Sequence, residues 1–171
     1  MRKVFRMVAT FTAFCAVGMP LGFAADDSGG TAAARRVLIP EREHGYSNMK
    51  SVLIRSQDEL DDLLQEVQKQ DGWNDREGFV EAIEDAELDF DSEVLVIVRN
   101  TENSGSIRVT LKDPVLHDGV LSFRLDRDTP EMVTHDMAYY AFAFAVSKAE
   151  VEAVDLGFKG GPVKRVSVKE E

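Results

Sequence analysis

Three histidines, one serine turn and a run of alternating carboxylates are the residues of this chain whose types could support chemistry. His44, His117 and His135 lie 73 and 18 residues apart, whereas a zinc site read from sequence wants two His on one helical turn or paired Cys. No metal and no cofactor is therefore expected. Asn103-Ser104-Gly105 lacks the G-x-S-x-G spacing that exposes a nucleophilic serine on a strained turn, and it reads as a hairpin turn. His135-Asp136 offers a base with a carboxylate beside it. Neighbours in an extended chain point to opposite faces, so the pair reads as a polar loop. Glu87, Asp89, Asp91 and Glu93 alternate, but a calcium loop counted from Asp89 needs Gly at its sixth position and Glu at its twelfth. Those positions hold Val94 and Asn100, and Asp89 and Asp91 are expected to cap a turn instead. Tyr46, Trp73 and Tyr139 are expected to serve packing, with Trp73 closing a helix junction. No catalytic residue is assigned. Asn103, Ser104, Gly105 and His135 remain as candidates for binding.

The elements that must carry these residues begin after an export signal. Arg2, Lys3 and Arg6 precede an apolar stretch from Met7 to Leu21, and Gly22-Phe23-Ala24 puts small residues before a cleavage point. That order reads as a signal peptide over residues 1–24, with Pro20 and the short apolar run opposing a retained anchor. Cys15 falls inside the apolar stretch, so the exported chain has no thiol and no disulfide. Cleavage removes three basic residues and no acid, taking the formal charge from −11 to −14 and leaving 147 residues. Such a chain can form one domain without a covalent staple. Its acidity argues against nucleic acid and anionic membrane surfaces as partners. Periplasmic or secreted location is expected.

Residues 25–35 read as a flexible leader and 36–171 as a single domain. Val37-Leu38-Ile39 before Pro40 suits an edge strand, and Ser51–Arg55 a second strand. Ser56-Gln57-Asp58-Glu59 has capping-box form. Leu60, Leu63, Leu64 and Val67 then recur at helical spacing, predicting a helix over 57–69. A second helix is expected over 75–87. Val94–Val98 is apolar on both faces, as in a central strand. Ile107, Val109 and Leu111 alternate with polar residues, Asp118-Gly119 marks a hairpin tip, and Leu121, Phe123 and Leu125 alternate again. Tyr140, Phe142, Phe144 and Val146 share one strand face while Ala141, Ala143 and Ala145 share the other, a sign of close packing, as by a helix. Strands from Val154 and around Val166 flank the turn at Gly160-Gly161-Pro162. The fold expected is α+β: an antiparallel sheet with two amphipathic helices inserted after the first strands, and five or six strands following. A β-sandwich with a helical insertion is the near alternative.

Ile54-Arg55-Ser56-Gln57-Asp58-Glu59 before a helix, Asp89-Phe90 before the apolar strand, Ser104-Gly105-Ser106 before Ile107–Leu111, and Ala141–Lys148 near the end together resemble the PrcB-type domain. That module is the C-terminal part of a protease-complex lipoprotein and occurs in small exported bacterial proteins. The likeness covers about two-thirds of the exported chain. The chain departs from the pattern in having one Gly and no Tyr at the turn, and Ser147 where Pro is common. The resemblance implies a non-catalytic domain that associates with, and stabilises, an exported protease or another envelope protein. The leading expectation is thus a non-enzymatic binding or accessory domain with an extracytoplasmic protein partner. A hydrolase would instead need a concave pocket around His135 and Asp136, and an inhibitor would need a braced, protruding loop at 101–106 or 128–137.

Overall fold

The computed structural model of the protein describes residues 33–169. The expected signal peptide and residues 25–32 of the expected leader lie outside the described residues. The leader's expected end at residue 35 is corrected, because Ala34–Val37 already forms strand β1 and Ala33 and Ala34 are buried. Small side chains that read as linker composition are here the ones that fit beneath a sheet layer.

The centre of the molecule is a four-stranded antiparallel sheet in the order β1-β8-β3-β2. Strand β2 is Val52–Ile54, β3 is Glu93–Glu102 and β8 is Ala138–Ser147. Strands β3 and β8 pair over their whole ten-residue lengths, from Glu93 opposite Ser147 to Glu102 opposite Ala138. Val94 to Val98 are all fully buried. Burying each such side chain is worth about 1.5–3 kcal/mol, and β8 beside it buries Tyr140, Phe142, Phe144 and Val146 as well. On one side the sheet ends at β1, an edge strand as expected but at Ala34–Val37 rather than Val37–Ile39, with Leu38 exposed beyond its end.

Helix α1, Gln57–Lys69, has Ser56 as its N-cap: the Ser56 hydroxyl accepts from the Glu59 amide, and Glu59 accepts from the Arg55 amide at 2.7 Å. The Ser56 half of the capping box is therefore made, while Glu59 reaches one residue further back, to the Arg55 amide rather than to that of the cap. Helix α2, Arg76–Glu84, is shorter than the expected 75–87, and the Asp75 carboxylate accepts from the Gly78 amide to cap it. The two helices and a 3₁₀ turn at His44–Asn48 cover one face of the sheet. That face presents Leu95, Ile97, Ala141, Ala143 and Ala145. The alanines leave room for Phe79, Ile83, Val67 and the fully buried Tyr46 above them. Trp73 sits edge-on to Tyr46 at 5.1 Å and tilted against Phe79 at 5.1 Å. It also fills the space a Cβ on Gly45 would need, which would lie 2.1 Å from the indole. Burial drives the Tyr46 hydroxyl far above its ordinary pKa.

The opposite face, Val94, Val96, Val98, Phe142, Phe144 and Val146, packs on a second layer of strands. The molecule is thus helices, sheet and sheet in three layers, which joins the α+β reading to its sandwich alternative. Eight strands follow the helices rather than five or six, because one long hairpin is broken. Strands β4 (Arg108–Leu111) and β7 (Leu125–Asp128) pair by themselves, while β5 (Val115–His117) and β6 (Val120–Phe123) pair across the Asp118-Gly119 tip. The register slips by one residue between the two halves, where Lys112-Asp113-Pro114 stands opposite Phe123-Arg124. A slip and a proline re-aim a ribbon, and here they hand it from one sheet to another. Strand β9 (Ala153–Phe158) lies parallel to β6, with an irregularity between Leu121 and Phe123, and β10 (Lys164–Ser167) closes the sheet antiparallel to β9. All other strand pairs are antiparallel.

Candidate functional site

The two loops that leave β3 and enter β8 meet at one end of the central sheet. Ser104 is 1% exposed, and its hydroxyl lies 2.9 Å from the Ser106 hydroxyl and 3.0 Å from that of Thr134. The Thr134 amide donates to the Ser104 and Ser106 hydroxyl oxygens, at 3.0 and 2.9 Å. The Gly105 amide donates to the Asp136 carboxylate at 3.2 Å. Hydrogen bonds from the Thr134 hydroxyl and then the Gly105 amide hold the Asp136 carboxyl below its usual range. Any Cβ on Gly105 would fall 2.1 Å from Asp136 Oδ2, so glycine is what permits the carboxylate to sit against the turn.

The four candidate binding residues therefore fall into one cluster, but with unequal roles. Ser104 and Gly105 brace the loop, Asn103 is exposed beside them, and His135 is exposed with its ring outside the network. Asp136 faces Gly105 rather than His135. His135 lines none of the five hollows described on the surface. The Ser104 hydroxyl is committed to Ser106 and Thr134, with no imidazole in its bonding set. Among the described residues no three His, Cys, Asp or Glu side chains converge as metal ligands would. His44 packs edge-on to Tyr139, and His117 pairs with its exposed neighbour Asp118. Asp89 accepts from the Asp91 amide and the Ser92 hydroxyl, the turn-capping role expected of it.

The second loop exposes three large apolar side chains among its polar ones. Met132 is 86% exposed, Val133 49% and Met137 54%. They flank Thr134 and Asp136, the two anchors, so the apolar side chains stand outward from a fixed backbone. Below the loops, Glu102 is buried at the end of β3, where it accepts from Arg127 Nε at 2.7 Å and from the Asn100 side chain at 2.7 Å. Sequence reasoning missed this ion pair. Its signal is the alternation of β3, which continues past Val98 and turns Asn100 and Glu102 toward the inter-sheet core.

No family model matches this chain, and neither a curated protein nor a solved structure matches it.

Proposed function

We propose that the protein is an exported accessory domain that docks an extracytoplasmic protein through the loop 129–137, doing no chemistry of its own. The observation that carries this reading is the combination at that loop: three exposed apolar side chains on a backbone tied to the 103–106 turn by Thr134 and Asp136. A loop held in its binding conformation before contact loses less entropy on association, and methionine adapts to an irregular partner surface. The export signal read in residues 1–24 supports an extracytoplasmic partner, and the resemblance to PrcB-type domains favours a protease among such partners.

The test is affinity capture from envelope and culture-supernatant extracts with the wild type and with the double variant M132D/V133D. A specific partner retained by the wild type and lost from the variant, at unchanged melting temperature, is the expected result. Equal capture by both would remove the loop from the interface. A second reading rests on the same bracing: a fixed, protruding loop is also what a protease inhibitor presents. Inhibition of a captured protease by a stoichiometric amount of the domain would select that reading, and unchanged proteolysis would leave the accessory role.

A further inference from the structure

The second sheet turns toward solvent a surface whose charge is opposite to that of the whole chain. Ser122, Asp155 and Arg165 alternate with the buried Leu121 and Val154 and the half-buried Val166 on the inner side of their strands, and Arg124 follows β6 on the same outward face. Together with Lys159 they line a hollow of about 630 Å³ beside the β9–β10 hairpin. Arg165 also borders a neighbouring hollow of about 590 Å³, where Arg55, Lys164 and Lys169 stand. Six cations thus run along two adjoining depressions in a chain of formal charge −11.

The acids within this track are already committed. Asp155 receives both Arg165 Nε, at 2.8 Å, and a second guanidinium nitrogen, at 3.1 Å. Glu59 accepts from the Arg55 amide at the start of the helix. Arg124 and Lys159 make no ion pair among the described residues. The Arg165 guanidinium is held in place by Asp155, so its position does not depend on a ligand. Arg55 donates to the Ser167 carbonyl at 2.6 Å, on the side of β10 away from β9. That contact occupies the strand's outer edge, which disfavours a ligand that enters by extending the sheet. It leaves the charged face open.

We propose that this track binds an acidic, extended polypeptide segment of a partner protein, with carboxylates meeting Arg124, Lys159 and Arg165 in turn. Charge complementarity and length carry the choice. Two joined depressions with cations spread across three strands and the start of a helix exceed what one phosphate needs. The helical layer of a second copy is acidic too, but it carries its carboxylates on two packed helices rather than on a single extended chain. None of the residues of the 129–137 loop takes part, so this inference stands or falls separately from the docking loop.

The experiment is fluorescence anisotropy with labelled octaglutamate, octalysine and octaserine peptides titrated into the purified protein. Octaglutamate is expected to bind, to weaken about tenfold in R124Q/K159Q, and to weaken further as salt rises. K69Q, which removes a cation from the helical layer, is expected to leave binding unchanged. Arg124 and Lys159 are exposed, so the double variant should keep the wild-type melting temperature. Three results overturn the proposal: no binding of octaglutamate, equal binding by wild type and R124Q/K159Q, or full displacement by equimolar inorganic phosphate. Sedimentation showing wild-type dimers that R124Q/K159Q abolishes would also overturn it, giving the track to a second copy's helices.

Discussion

Asp136 shows how a single carboxylate governs the candidate site. Its pKa lies below the ordinary aspartate value, through the hydrogen bonds of Thr134 and Gly105. A depressed carboxyl pKa means the ionised form belongs to the folded arrangement. Its contribution is full above the unfolded pKa, near 3.9, and disappears as pH falls through the lower folded value. The brace is therefore expected to hold at neutral pH and to open in acid, below about pH 4. Amide hydrogen exchange at Gly105 and Thr134 should accelerate over that range beyond the solvent's own pH effect, and Asp136→Asn should remove the transition. An unchanged protection of Gly105 between pH 5 and 2.5 would show that the carboxylate does not hold the turn. Little of this was readable beforehand. Asn103-Ser104-Gly105 and His135-Asp136 stand out as polar turns, but Ser104 and Thr134 are 30 residues apart and hydroxyl spacing carries no period. Only the fold joins them.

Elements were far more legible, because periodicity and caps are local physics. The apolar spacing of Leu60, Leu63, Leu64 and Val67 with the Ser56 cap located α1 at both ends. The alanine face of β8 announced a closely packed layer, and α1, α2 and the 3₁₀ turn supply it. What alternation could not convey is partnership: Leu121 and Phe123 read as half-buried whether their neighbour runs parallel or antiparallel, and the β6–β9 pair is parallel. The broken ribbon was hidden for the same reason, since the slip at Pro114 leaves each half with an ordinary pattern. The alanine layer yields an expectation of its own. Ala143 is fully buried between Ile97 and Val37, with the helices above. Ala143→Leu should lift the helical layer and cost about 1–3 kcal/mol in urea unfolding, the usual range for overpacking. A loss under half of that would mean the layer is loosely seated.

For the whole molecule, charge is distributed by layer. Residues 57–88 hold twelve acids against Lys69 and Arg76, a net of −10 in the helical layer, while cations gather on the outer sheet. Like charges on one layer repel, and salt screens them within about 10 Å at 0.1 M. The melting temperature should therefore rise when sodium chloride is increased from about 20 to about 300 mM. A fall would mean that attraction between layers outweighs repulsion within the helical one. The order in which the strands join has another consequence. Among the described residues β1 has β8 as its one strand partner, Ala34 opposite Val146, and β3 pairs along the same β8. A chain that appears amino-end first therefore holds β1 unpaired through the 100 residues between Val37 and Ala138, and β3 paired with β2 alone through the 35 residues between Glu102 and Ala138. Closure of the central sheet is thus a late event of chain delivery, and the part-delivered chain carries Val94–Val98 without its β8 partner, an apolar strand edge open to wrong pairing until Ala138–Ser147 arrives.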